Sequence, residues 1–289
     1  MTLASTILAL NPIAYWKLDE TSGTAAINYG SLGTAANGTY SGATLAQIAA
    51  PGGGLAPLYD GVNDKTEIFS AALQAAFNGN LGSFVIWWKV YAASVWADPT
   101  IRFAIYLGVD ANNRIRFGHD NNANNIYFAH NAGGTAKTLA STSYANTNWN
   151  CAVLTYSDAA NQFVAYMNGA SLGTVSDIGT YVGNLATAYT DIGNADISAY
   201  PWYGYLSHAA LFNSVLSPAD VYAIYVAGTQ NTYSITADAG SIAVTGQDAT
   251  LTAYLKKLGC VTAADTTLYT VTASDTCLYT VTASDMRCT

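Results

Sequence analysis

The chain has 289 residues, of which 51% are hydrophobic and 10% charged, against roughly 25% charged in an average soluble domain. That composition supplies one large core or two smaller ones and excludes disorder of the low-hydrophobicity, high-charge kind for most of the length. Ten basic against eighteen acidic residues give a formal net charge of −8. This is the wrong sign for a protein that tracks a phosphate backbone, so nucleic acid is not an expected partner.

Met1–Leu10 is apolar but carries no Lys or Arg, and it runs straight into Asn11-Pro12, so it does not read as a signal peptide. No later stretch approaches the ~18 uninterrupted apolar residues of a membrane span. Strand signals dominate from there: short runs rich in Tyr, Thr and Val at Ala14–Leu18, Phe84–Val90, Ile101–Val109, Arg114–Gly118, Ala152–Tyr156, Phe163–Asn168 and Tyr205–Phe212. Asn37-Gly38, Asp60-Gly61, Asn112-Asn113 and Asn168-Gly169 separate them with residues that tolerate positive φ. One helix is expected. Ser217-Pro218-Ala219-Asp220 places a capping Ser before a Pro at the first helical position, Val221, Ile224 and Tyr225 then share a face, and Gly228 stops it. Many strands with almost no helix predict an all-β sandwich.

The composition changes near residues 228–231, which divides the chain into residues 1–228 and a Thr/Ala/Val-rich tail, 229–289. The tail holds a period-10 repeat, Thr266–Asp275 and Thr276–Asp285, each unit a five-residue β segment followed by a turn. Two such units are too few to stand alone as a solenoid. They are expected to form a small β module for assembly or anchoring, because strands of such low charge are adhesive at their edges. Of the four cysteines, Cys151 lies in an apolar run and reads as a buried thiol. Cys260, Cys277 and Cys288 lack the paired spacing of a zinc site and are candidates for a disulfide or for contacts in assembly.

Several segments, taken together and in order, carry a resemblance. They are Asn11-Pro-Ile-Ala-Tyr-Trp-Lys-Leu-Asp-Glu-Thr-Ser-Gly23, Ala36–Gly42, Tyr59–Asp64, Phe84–Trp88, Trp149 ahead of a Val-Leu-Thr-Tyr strand, Tyr166–Gly169, Ile192-Gly193, and Gly204 through Val221. This set resembles the laminin-G-like, concanavalin A-type lectin domains over about residues 11–228. The resemblance implies a jelly roll of two antiparallel sheets packed face to face. Residues Tyr233–Leu251 are similar to segments of structural proteins of tailed bacteriophages. An opening like Leu8–Trp16, this tail and no signal peptide together imply a virion protein.

The chemistry open to such a domain is narrow. Glycosidases on this fold use a Glu-x-Asp-x-x-Glu strand, whereas this chain has only Glu20 and Glu67, neither in that pattern, so no enzyme activity is expected. His119, His130 and His208 adjoin no nucleophile elbow: His119, followed by Asp120, Asn121 and Asn122, reads as a solvated loop, and His208 as half-buried packing. Relatives often hold Ca²⁺, and Asp60, Asn63 and Asp64 are the candidate ligands. Their plainer reading is a side-chain-capped turn, and Ser207 stands where many relatives carry an acid. For glycans, which bind to aromatic faces and amides, the candidates are Tyr200, Trp202, Tyr203 and Tyr205 with Asn122 and Asn124. Trp16, Trp87 and Trp149 are assigned to the core, and Trp96, beside Asp98-Pro99, is a candidate for exposure.

The expectation is therefore a virion structural protein of a tailed bacteriophage, a decoration, fibre or adhesin component on the virion surface. Its partners would be copies of itself, other virion proteins and host-surface polysaccharide, with neither nucleic acid nor membrane. The alternative is a stand-alone bacterial carbohydrate-binding module or adhesin, and a glycoside hydrolase ranks third.

Overall fold

In the computed structural model, the described residues are 1–120, 125–195 and 200–229, with the strand segments 242–244, 261–263, 269–272 and 278–281. The chain divides into two compact units, Leu3–Ala227 and Gly228–Thr289.

The first unit is built from β1 (Ala14–Trp16), β2 (Ala25–Ala26), β3 (Gly38–Ser41), β4 (Thr44–Ala49), β5 (Leu55–Asp60), β6 (Lys65–Glu67), β7 (Leu81–Val90) and β8 (Arg102–Asp110). It continues with β9 (Asn113–His119), β10 (Ile126–Ala132), β11 (Thr135–Ser141), β12 (Asn150–Ser157), β13 (Gln162–Met167), β14 (Ala170–Ser176), β15 (Thr190–Ile192) and β16 (Tyr203–Phe212). The helices are α1 (Leu3–Leu8), α2 (Ala71–Ala76) and α3 (Pro218–Thr229). The first sheet runs β14-β13-β12-β7-β16-β5-β4, with β1 also paired to β16, and the second runs β11-β10-β9-β8-β15-β6-β3-β2. All neighbours in these two sheets are antiparallel, and this is the expected sandwich.

Strand alternation fills the space between the sheets. β7 directs Phe84, Ile86, Trp88 and Val90 inward, where they meet Ile115 and Phe117 of β9 and Ile126 and Phe128 of β10. Trp88 lies at the centre of an aromatic cluster, edge-on to Trp96 (6.0 Å) and Trp202 (5.8 Å) and tilted against Phe117 (5.6 Å). The opposite face of β7 is buried too: Val85 and Trp87 pack with Leu3 and Ile7 of α1 and with Val221 and Ile224 of α3. Both faces of the first sheet are thus covered, and Phe84–Trp88 reads as an unbroken apolar run for that reason.

Several local expectations change. Within Met1–Leu10, Leu3–Leu8 forms a helix, because Leu3 and Ile7 stand one turn apart and share a buried face. α3 extends through Gly228 to Thr229. Trp96, in a 3₁₀ turn at Ala93–Ala97, is 3% exposed, with its indole N–H donating to the Asn146 carbonyl (2.9 Å). Trp149 precedes β12 and is only partly buried, its Nε1 donating to the Ala49 carbonyl (3.0 Å). His119 is fully buried at the end of β9, with Nδ1 donating to the Thr100 carbonyl (3.1 Å). His208 is buried at a bulge of β16 with φ 49°, its Nδ1 bonded to the Tyr15 hydroxyl (2.6 Å). Asn37-Gly38 is not a positive-φ turn, since Gly38 opens β3. Asn168-Gly169 is one, with φ 53° and 79°. Cys151 is buried behind the first sheet, where desolvation pushes its thiol up.

In the second unit, β17 (Ile242–Val244) pairs in parallel with β18 (Val261–Ala263), and β19 (Tyr269–Thr272) pairs antiparallel with β20 (Leu278–Val281). β19 and β20 fall within the two copies of the repeat. Cys260, Cys277, Cys288 and most of the Tyr233–Leu251 segment lie outside the described residues. No helix among the described residues is long and apolar enough to cross a membrane.

Candidate functional site

The six residues Tyr200–Tyr205 are dispersed by the geometry of the sandwich. Tyr200 faces outward from the second sheet, edge-on to Phe103 at 5.2 Å. Trp202 is 1% exposed in the core against Trp88. Tyr203 and Tyr205 share the outer side of β16, where both stack on Tyr91, at 4.9 and 6.3 Å. The guanidinium of Arg102 also lies 5.7 Å over the Tyr203 ring. Arg102 is held by the Pro201 carbonyl (2.8 Å) and by an ion pair with Asp98. Burial alone would raise the Asp98 carboxyl, but hydrogen bonds from Thr100 and Arg102 outweigh it and hold the group at about 2. Asn122 and Asn124 lie outside the described residues.

Asp60, Asn63 and Asp64 form a turn closed by its own side chains. Asp60 Oδ1 accepts from the Val62 amide (2.8 Å) and from that of Asn63 (3.4 Å), while Asp64 Oδ2 accepts from the Asp60 amide (2.8 Å). Burial raises the Asp64 carboxyl, and the Asp60 charge adds to that against the amide bond. Among the described residues no three His, Cys, Asp or Glu side chains group to hold a metal ion. The two carboxylates here already serve amides, whereas a calcium ion takes ~6–8 oxygens, so no chemistry is derived through one.

The outer face of the second sheet gathers a site that the sequence reading did not single out. In β9, Ile115 and Phe117 point into the core, which turns Arg114 and Arg116 outward. The register aligns one row of residues across the sheet: Glu67 beside Asp191, Asp191 beside Tyr106, Tyr106 beside Arg116, Arg116 beside Ala129 and Ala129 beside Thr138. Phe103, Tyr106, Tyr127, Ala129 and Ala195 form an apolar cluster on this face, with Tyr189 and Tyr200 packed on it. The Arg116 guanidinium stands 5.6 Å from the Phe103 ring centre and 6.0 Å from those of Tyr106 and Tyr127. Arg114 Nη1 donates to the Tyr106 hydroxyl (2.9 Å). At the other end of the row Lys65 Nζ lies 3.5 Å from Glu67 Oε2 and 3.6 Å from Asp191 Oδ1. Burial lifts the Tyr127 hydroxyl to about 12 against the pull of Arg116, so it remains a hydrogen-bond donor at neutral pH.

The row therefore has carboxylates at one end, guanidiniums at the other and buried aromatic rings between them, on which the half-buried Tyr189 and Tyr200 are packed. The available sequence signal was Arg-Ile-Arg-Phe: two of only ten basic residues, spaced so that a strand places both on one face.

The sequence model of the concanavalin A-like lectin/glucanase superfamily, laminin-G type, matches residues 60–222, more than half of the chain. No curated protein matches the sequence. Solved structures with this fold include the ligand-binding domain of botulinum neurotoxin serotype D in complex with N-acetylneuraminic acid, at 14% identity and TM-score 0.58, covering 76% of this chain and 52% of that one. Another is domain 4 of an extracellular arabinanase from Geobacillus stearothermophilus in complex with arabinotriose, at 15% and 0.52, covering 74% and 98%. A third is the Trypanosoma rangeli sialidase in complex with an inhibitor, at 10% and 0.53, covering 74% and 32%. The chain spans about half the length of the neurotoxin domain, and at these identities the likeness is one of fold.

Proposed function

Since the chain belongs to the concanavalin A-like lectin/glucanase superfamily, we propose that its jelly-roll unit is a carbohydrate-binding domain whose ligand lies over Arg114 and Arg116 of β9 on the outer side of the second sheet. The observation that carries this reading is the pair of half-buried arginines Arg114 and Arg116, which share one face of β9 beside an aromatic cluster on which the half-buried Tyr189 and Tyr200 are packed. The half-buried Tyr189 and Tyr200, packed over the buried Phe103, Tyr106 and Tyr127, offer the aromatic surface that sugars use, and the half-buried Arg114 and Arg116 fix hydroxyls by direction. That two structural neighbours are described as holding N-acetylneuraminic acid and arabinotriose supports a ligand of this class.

The domain acts as a binder and not as a hydrolase. Glu20 is taken up by the Tyr40 hydroxyl (2.6 Å) and the Ile27 amide (2.9 Å), and Glu67 is paired with Lys65. Neither is set as the acid or nucleophile of a glycosidase pair. The setting we propose is the surface of a tailed bacteriophage, where the tail unit assembles copies of the chain or joins them to other virion proteins. The support for this is the resemblance of Tyr233–Leu251.

Two experiments test the reading. Full-length protein on a glycan array should bind a defined set of oligosaccharides, and Tyr200→Ala, at a half-buried position, should lower the affinity for that set about tenfold while leaving the unfolding midpoint within a few degrees. An array with no binder refutes the carbohydrate reading. Light scattering of the full-length protein should give a discrete oligomer, whereas a monomer of 30.2 kDa would assign the chain to a stand-alone module.

A further inference from the structure

We propose that the ligand of this face carries a carboxylate: an acidic saccharide of the uronic or sialic acid class, held by Arg114 and Arg116. The inference rests on the carbohydrate reading above and adds the ligand's charge and the residues that read it.

The argument begins with charge. In an acidic protein with ten basic residues, a guanidinium has many carboxylates to choose from, and three basic side chains are paired with one: Lys17 with Asp19 (2.7 Å), Lys65 with Glu67 and Asp191, and Arg102 with Asp98, while Lys89 donates to the Thr147 carbonyl. Arg114 and Arg116 have no carboxylate within 4.0 Å among the described residues. They also project from alternate positions of one strand, so their like charges lie on the same face. That arrangement disfavours the free protein and is relieved when an anion binds.

Desolvation adds to this. The Nε of each arginine is buried and has no hydrogen-bond partner among the described residues, an unmet donor of the kind that folded proteins rarely keep without a use. Both side chains are half-buried, so part of each remains open to a ligand.

The two groups are also positioned in advance. Arg116 lies among Phe103, Tyr106 and Tyr127, and Arg114 is bonded to the Tyr106 hydroxyl. A guanidinium resting on aromatic rings keeps its N–H edge for a planar two-oxygen acceptor, and a sugar carboxylate is such an acceptor. The sugar ring would then lie against the half-buried Tyr189 and Tyr200.

The test uses full-length protein and matched oligosaccharides in four forms: oligouronides, sialylated glycans, the same compounds after carboxyl reduction to alcohols, and sulfated neutral glycans. Binding is expected for the carboxylate forms, lost on reduction and weakened by added salt. Arg114→Gln and Arg116→Gln should each lower affinity about ten- to a hundredfold, with Arg116→Lys falling between Gln and wild type. The reduction arm needs no variant, so it stands even if a glutamine substitution disturbs folding, which thermal unfolding will report. Equal binding of reduced and acidic forms, or binding of sulfated glycans alone, overturns the carboxylate inference while leaving the carbohydrate reading in place. No binding to any of the four forms overturns the carboxylate inference, and the glycan array then decides the carbohydrate reading by itself.

Discussion

Gly204 shows how one atom can decide the course of a strand. Its φ is 147°, and a Cβ there would lie 2.1 Å from the Lys89 carbonyl oxygen and 2.8 Å from the Tyr91 amide nitrogen. Backbone, not a movable side chain, fills that space, so Gly204→Ala cannot relax by a rotamer change. It should cost about 2 kcal/mol or more, read as a lowered urea midpoint at unchanged slope. Tyr203 and Tyr205, on either side, should then lose their register with Tyr91. Residue-level chemistry was only partly legible in the sequence. The aromatics of Tyr200–Tyr205 were visible as types, but strand alternation and the step between sheets send Tyr200, Trp202 and Tyr203 to three different surroundings. The arginines of β9 were legible as a period-2 pair and were passed over because nothing local marks their unmet donors. Their surroundings come from the neighbouring strands β8 and β10, which bring Phe103, Tyr106 and Tyr127 against them on one face of the sheet.

At the scale of elements, the helix α3 follows from four residues. Ser217 Oγ accepts from the Asp220 amide (3.2 Å), and Asp220 Oδ2 accepts in return from the Ser217 amide (3.0 Å), a reciprocal cap. Val221 and Ile224 then enter the layer behind the first sheet, and Tyr225 stacks on Trp87 at 6.1 Å. Ser217→Ala should cost about 1 kcal/mol and loosen Tyr225 from Trp87, a change that tryptophan fluorescence can follow alongside denaturation. This element could be read from sequence because caps are local. β10 could not: Ile-Tyr-Phe-Ala-His-Asn-Ala is buried on both faces and shows no polar alternation. β11 alternates in burial, but its exposed positions are Ala136, Thr138 and Ala140, too mild in polarity to give a signal. α1 was missed because its buried face is just Leu3 and Ile7, which have meaning only against Tyr15 and Trp87.

The stability of the whole jelly roll is tied to pH through histidines that the fold keeps neutral. His130 sits between the sheets, 5.5 Å from the Tyr156 ring centre and 6.3 Å from that of Phe163, and burial lowers its pKa to about 4. His208, bonded to Tyr15 behind the first sheet, is lowered to about 4 by the same cause, and burial lowers His119 as well. In the unfolded chain each takes a proton near pH 6.5. Between that pH and about 4 the unfolded state therefore binds protons that the native state refuses, and stability falls as the pH drops. At ~1.4 kcal/mol per unit, His130 and His208 each withdraw roughly 3 kcal/mol across the window, a large share of an ordinary domain's stability. Asp64 and Asp158, raised by burial, act in the opposite sense, but only near and just above the ordinary aspartate range. Urea midpoints should thus be level from pH 8 to 7 and decline steeply from pH 6.5 to 4.5. His130→Leu, which removes one titrating group from an apolar site, should flatten that decline by about one histidine's share. A midpoint that stays level down to pH 4.5 would mean that water or a counter-charge reaches these imidazoles in the native state.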